Sequence, residues 1–347
     1  MLEGRVGKLA GMDTAGLTEF LEQQQFAGVV LVRRGKTVVF ESATGTANRS
    51  TNAPITPNTR FDTASITKLF TAVAVLQQVA AGNLDLETSI HHYVDLAGTR
   101  VPIEVNLLNL LTHTSGLADD VDEENGESYA EFWGALPVDT FVEASDFLPL
   151  FVNKEPLADP GDEVAFINVG YILAGLALER ATGVPYREYV AEEVFAKAAM
   201  ADSGFFDRRA LADDVAEGWD RTENGEWVNN LGAYPPIGSP DGGAHSTAAD
   251  LVKFFAAVRG GVLLDKEYTE EFLLPQVELD EETAYGFGLE FDLDEDGSVR
   301  SYFQDGINAG ASGIVRHYTR ENLDVVVLSN SEDGAWDVIT EIDERMD

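Results

Sequence analysis

The chain has 347 residues, enough for one large domain or two intertwined ones with substantial cores. Its 23 basic and 61 acidic residues give a net charge of −38, which repels nucleic acid and fits a protein adapted to a salt-rich cytoplasm, where ions screen the self-repulsion. With 44% hydrophobic residues it is no disordered acidic polymer, and with no cysteine it has neither disulfides nor thiol chemistry.

The first 25 residues contain no continuous apolar core of the kind a signal peptide needs. No later segment reads as membrane-spanning, so the expected location is cytoplasmic, with a leader removed in processing left open. AGVVLVRRGKTVVFESATG predicts two strands around a turn at Arg34-Gly35-Lys36. Gly35-Lys36-Thr37 ends like a phosphate loop, but Val30 stands where that loop needs its first glycine.

FDTASITKLFTAVAVLQQVAAGNLDL, Phe61 to Leu86, predicts a helix from Ile66 to Ala81. Asp62 and Thr63 suit its start and Gly82 its C-terminal cap. A helix apolar on all sides is buried inside a larger protein, and this one is too short to span a bilayer. Ser65 and Lys68 are three apart and share one face at its first turn. There the backbone N–H groups lack partners and favour a developing negative charge. A lysine in a dry setting loses its proton more readily and can take a serine's. The alternative is a Lys68 that snorkels to solvent beside a serine near a cap, and S-x-x-K alone does not decide.

From residue 62 to 230 the pattern is mostly helical and loop-rich. DDVDEENGES, residues 119–128, reads as a solvated acidic loop. SPDGGAHSTAADLVKFFAAVRGG predicts a glycine turn and a helix capped by Ser246 or Thr247. Short strands follow in YGFGLEFDLD, VRSYFQDG, SGIVRHYT and LDVVVLSN, then an amphipathic helix in GAWDVITEIDERMD. Strands at both ends and helices between them predict a mixed α/β fold of the α+β type. Residues 1–61 and 231–347 form its antiparallel sheet domain, and 62–230 form a mainly helical insertion. Asp292, Asp294, Asp296 and Gly297 mimic a calcium loop, but Phe303 replaces its glutamate, and an exposed hairpin turn is expected instead. His91, His92, His113, His245 and His317 lack zinc-type spacing, and His113 reads as a turn residue. No metal or cofactor is expected.

Several segments, in order over most of the chain, together resemble the penicillin-recognising serine hydrolases. The branch is that of class C β-lactamases, DD-carboxypeptidases, D-aminopeptidases and β-lactamase-like esterases. Phe61 to Leu86 looks like its S-x-x-K helix, LLNLLTHTSGL its HTSGL segment, and PGDEVAFINVGYILAGLALERATGVPYREYV its block around Tyr-x-Asn. GGAHSTAADLVKF and YGFGLEFDLDEDG match further stretches, and GINAGASGIVRHY looks like the strand that carries Lys-Thr-Gly or His-x-Gly. The resemblance implies a β-lactamase/transpeptidase-like fold. It makes Ser65 the acylated nucleophile, Lys68 its base partner and Asn168 a contact for substrate and lysine. It places Asn308-Ala309-Gly310 in the third motif and implies an oxyanion hole from the N–H groups of Ser65 and Ala311. Gly310 and Asn308 would then line the substrate.

Two positions depart from the family. Phe166 stands where Tyr-x-Asn has its tyrosine, and Asn308 where the third motif has a cation. Phe166 cannot carry a proton, and Asn308 offers no charge for a carboxylate. The resemblance therefore implies a serine hydrolase of weakened activity on a neutral ester or amide. The alternatives are a penicillin-binding-like protein that holds a peptide-like ligand, and a structural relic. The partner in each active case is a small or peptide-like molecule, with no nucleic acid and no membrane.

Overall fold

The computed structural model describes residues 12–121, 127–222 and 224–346. Its centre is an eight-stranded sheet. The strands are β1 (Gly28–Arg34), β2 (Thr37–Thr44), β3 (Val277–Glu278), β4 (Thr283–Tyr285), β5 (Glu290–Leu293), β6 (Val299–Asn308), β7 (Ala311–Tyr318) and β8 (Leu323–Ser329). They lie in the order β2-β1-β8-β7-β6-β5-β4-β3, every pair antiparallel. Residues 28–34 and the strand holding Gly313 thus share one sheet.

Alternation along the strands divides the core into two layers. Val29, Leu31, Val315, Val326 and Leu328 face the larger one, which holds helices α2 (Thr67–Ala80), α3 (Val169–Thr182) and α4 (Ala248–Arg259). Val30, Val32, Ile314, Val325 and Val327 face the other, closed by α1 (Leu17–Gln23) and α5 (Trp336–Asp343). β8 lies between neighbours with both faces covered, so all seven of its positions are buried.

α2 begins one residue later than the sequence pattern predicts, because Ala64–Ile66 form a 3-10 turn ahead of it. From Thr67 to Leu76 every residue is buried, and Gly82 follows the helix in a left-handed conformation, φ +74°. Thr247 caps α4 by accepting from Asp250 N–H at 3.2 Å. Residues 294–298 form the exposed turn between β5 and β6, closed by Asp294 N–H to the Ser298 carbonyl at 2.9 Å. Among the described residues no helix is long and apolar enough to cross a membrane.

Two expectations change. GINAGASGIVRHY is not one strand but a hairpin, with Ala309 and Gly310 as the two-residue turn between β6 and β7. Gly310 takes φ +71° there, which a side chain would oppose. The acidic run is not wholly solvated either: Asp119 is half-buried and Asp120 buried, while residues 122–126 of that loop lie outside the described residues.

Candidate active site

A cavity of about 1080 Å³ opens between the helical layer and the free end of β6. Ser65 lies on its floor, and the turn that presents it is tightly held. Asp62 Oδ1 accepts from Ala64 N–H at 2.8 Å, and Ala64 takes the left-handed value φ +44°, a conformation costly for alanine. One helical step on, Lys68 is fully buried, and its Nζ has three neighbours, each at 2.8 Å: Ser65 Oγ, Asn168 Oδ1 and the Asp241 carbonyl. The lysine does not snorkel out. Burial pushes its pKa down to about 8, against the smaller opposing pull of Asp241, Asp119, Asp305 and Asp120. A lysine so placed is neutral often enough at ordinary pH to accept a proton.

Asn168 reaches the lysine from the start of α3, and its other contacts fix it. Asp119 Oδ2 accepts from both its backbone N–H (2.9 Å) and its Nδ2 (3.1 Å), while Nδ2 also donates to Tyr129 OH at 2.8 Å. Phe166 lies in the same cavity with its ring centroid 4.8 Å from Lys68 Nζ and stacks on His113 at 4.6 Å. His113 Nδ1 accepts from Ile167 N–H at 3.1 Å, and burial, then Lys68, press its pKa down to about 3. It is a neutral packing partner in a left-handed turn, φ +58°. Tyr171 is committed elsewhere, donating to the Leu111 carbonyl at 2.8 Å.

The opposite wall corrects the sequence reading. The residue backed against Ser65 is Gly306: a Cβ there would stand 2.5 Å from Thr63 O and 2.8 Å from Ser65 N. The segment of this strand that lies against Ser65 is therefore Gln304-Asp305-Gly306, four residues ahead of Asn308-Ala309-Gly310. Neither Gln304 nor Asp305 brings a cation to that place. Residues flanking a two-residue turn exchange both hydrogen bonds, so Ala311 N–H is committed to Asn308. Ala311 and Gly310 border a small separate void, and Gly310 N–H donates to Asp220 Oδ2. Neither faces the cleft, whereas Asn308 and Ala309 line it. By the same alternation Ile307 turns its N–H away from β7. β5 pairs with β6 only as far as Phe303, so that edge is open to the cleft.

Asp119, Tyr129, the Asp241 carbonyl, Gly306 and Ile307 were not found from sequence. Asp119 lies in an acidic run that reads as solvent-facing, and its partner is 49 positions away. Gly306 had a signal, a glycine inside a strand pattern, which marks a close backbone approach.

An antiparallel sheet flanked by helices, with a serine and a buried lysine on one helix turn beside its edge, is the arrangement of the penicillin-recognising serine hydrolases. Residues 15–346 match the Beta-lactamase family, and the chain belongs to that family. It is similar to the crystal structure of a penicillin binding protein from Bacillus halodurans, at 36% identity and TM-score 0.90 over 94% of this chain and 99% of that one. It is 26% identical over 332 residues to Penicillin-binding protein 4* of Bacillus subtilis (strain 168), 90% of this chain and 70% of the relative. It is 31% identical over 209 residues to Esterase EstB of Burkholderia gladioli, 57% of this chain and 52% of the esterase.

Proposed function

We propose that the protein is a serine hydrolase that forms an acyl-serine on a neutral ester or amide, with turnover slowed by Phe166. The observation that carries this is Lys68 Nζ, buried and 2.8 Å from Ser65 Oγ. In this reading Ser65 Oγ attacks the carbonyl carbon while neutral Lys68 takes its proton. The oxyanion is held by the N–H groups of Ser65 and Ile307, donors of a kind worth roughly 10²–10³-fold each. Collapse breaks the bond to the leaving alcohol or amine, which receives the proton from Lys68. Water then attacks the acyl carbon and gives its proton to Lys68, which returns it to Ser65 Oγ as the bond to the acyl carbon breaks and the carboxylic acid is released.

Charge supports a substrate without a carboxylate. Lys68 already has an oxygen at each of its three positions. Lys154, on the cavity wall, donates to the carbonyls of Asp119 and Asp120 at 2.8 Å each. Asp119, Asp120 and Asp241 line the same space, and its other cation, Arg208, is buried against the Tyr234 ring and donates to the Tyr234 carbonyl at 3.1 Å. The likeness to Esterase EstB favours an ester. The division into a sheet domain (1–61 and 231–347) and a helical insertion (62–230) belongs to this reading, with the cleft between them. So does a salt-rich cytoplasmic setting, motivated by the charge of −38.

One feature favours a second reading. Phe166 puts an apolar ring where the family has a hydroxyl, so the acyl-enzyme can outlive the reaction and leave a ligand-holding, penicillin-binding-like protein. Intact mass spectrometry after exposure to an activated ester, and separately to a β-lactam, tests both. A Ser65 adduct that forms and decays supports the hydrolase. One that persists supports the binding protein. No adduct, with wild type behaving as Ser65→Ala, sinks both.

A further inference from the structure

We infer that Asp119 is a positioning residue that sets which way the Asn168 amide faces, and thereby aims the electron pair of neutral Lys68 at Ser65. This rests on the acyl-serine reading above. A neutral primary amine has two N–H bonds and one lone pair. Two of the three neighbours of Nζ, Asn168 Oδ1 and the Asp241 carbonyl, only accept. They take both N–H bonds, and the lone pair is left for the Ser65 hydroxyl.

That assignment depends on one amide orientation. With Asn168 turned over, its NH2 would face Nζ and compete with Ser65 for the same lone pair. Tyr129 OH, 2.8 Å from Nδ2, favours the same orientation while its one proton goes to Asp120 Oδ1, but that bond is long at 3.3 Å, and a hydroxyl released from it serves as donor or acceptor. Asp119 decides the orientation. Its carboxylate only accepts, and Oδ2 sits 3.1 Å from Nδ2. A turned amide would set two acceptor oxygens against each other.

The carboxylate is itself held. Its two oxygens accept four N–H groups: Asn168 N (2.9 Å) and Nδ2 (3.1 Å) on Oδ2, Val169 N (3.0 Å) and Asp120 N (3.1 Å) on Oδ1. Burial pushes the pKa of Asp119 upward, and the backbone N–H groups of Asn168, Val169 and Asp120 oppose it by favouring the ionised form. The Val169 bond also ties down the first turn of α3, so a cap and an orienting group are one side chain.

The test must separate those two roles. Asp119→Asn keeps the size and one oxygen for the backbone N–H groups, but no longer forbids the turned amide. With an activated neutral ester, kcat should fall about 10–100-fold, the loss typical of a group that orients a reacting side chain, with KM within about twofold. Asp119→Glu, still acceptor-only, should recover most of that loss. In an Asn168→Ala background Asp119→Asn should cost less than about twofold more, because the group it orients is gone. An equal loss in both backgrounds, or equal impairment by Asn and Glu, would overturn the inference and leave Asp119 a helix cap. If Asp119→Asn does not fold, Asp119→Ser, whose hydroxyl also no longer forbids the turned amide, decides in the two backgrounds: an equal loss of kcat with and without Asn168 overturns the role. Turnover that survives Ser65→Ala sinks the acyl-serine reading instead, a different result from Ser65-dependent turnover indifferent to Asp119.

Discussion

The two walls of the cleft are built from different chemistry. The helical wall acts through side chains: Ser65, Lys68 and Asn168 each meet an oxygen or nitrogen at 2.8 Å. The sheet wall offers backbone, namely the face of Gly306 and an N–H at Ile307. A proton needs a side chain to receive it, whereas a developing oxyanion needs only fixed N–H groups. The helical wall is therefore constrained in residue type. The sheet wall is constrained in shape, tightly at Gly306 and loosely beside it.

Removing the chemistry of the helical wall should have the largest effect. Ser65→Ala should abolish both the covalent adduct and ester turnover, and Lys68→Ala should slow acylation by roughly 10²–10⁴-fold, the usual worth of a positioned base. Stopped-flow acylation with an activated ester reads both. Unchanged acylation in Lys68→Ala would end the base assignment.

The sheet wall should answer differently to two changes at one position. Ile307→Pro removes the N–H and should cost about 10²–10³-fold in kcat. That N–H faces the open edge, so the ladder to β7 is kept. Ile307→Ala keeps the N–H and should stay within roughly threefold, as expected if only backbone matters. Similar losses in both would mean that the side chain carries the effect.

A pH profile sharpens the contrast, because the proposed base stands on the helical wall. Lys68 must be neutral to act, and burial places its pKa at about 8. Acylation should rise about tenfold per pH unit below that value and level off above it. Asp120 and Glu290, each raised by burial to about 8, titrate in the same window, so the limb is to be measured again in Asp120→Asn and in Glu290→Gln, where it should persist. A limb near the ordinary lysine value would show a solvated lysine. Phe166→Tyr, which returns a hydroxyl to the helical wall, should raise ester turnover more modestly, by up to about tenfold, in a Ser65-dependent way. No gain would favour the ligand-holding reading. Smallest is an effect that touches neither wall: with a net charge of −38, the melting temperature should rise by a few degrees from dilute buffer to molar KCl, equally in wild type and Ser65→Ala. A flat response would remove the salt adaptation.

The same division explains what could be read in advance. Ser65, Lys68, Asn168 and Phe166 announce themselves by residue type inside a strongly patterned segment. The buried helix and the strands at both ends follow from apolar periodicity. The sequence pattern points to Asn308-Ala309-Gly310 rather than Gln304-Asp305-Gly306 because a two-residue turn at Ala309-Gly310 splits what reads as one strand, and strand phase cannot be known before the turn is located. Asp119 was hidden for another reason. Its capping of α3 bridges 50 positions to Val169, and no local pattern encodes a cap from that distance.

The pairing of β1 with β8 has a consequence for how the molecule comes into being. Gly28 lies opposite Ser329, so a strand made near the start of translation finds its neighbour only near the end. At ribosomal speeds of about 5–20 residues per second, that separation is a wait on the order of 15–60 s. Through this interval Val29 to Val32, buried in the finished protein, have only β2 beside them. The nascent chain carries its serine and lysine for most of that time without the strand that completes their cleft. On the acyl-serine reading it is unreactive at the stage when it is most open to its surroundings, and most dependent on whatever shields an unpaired strand.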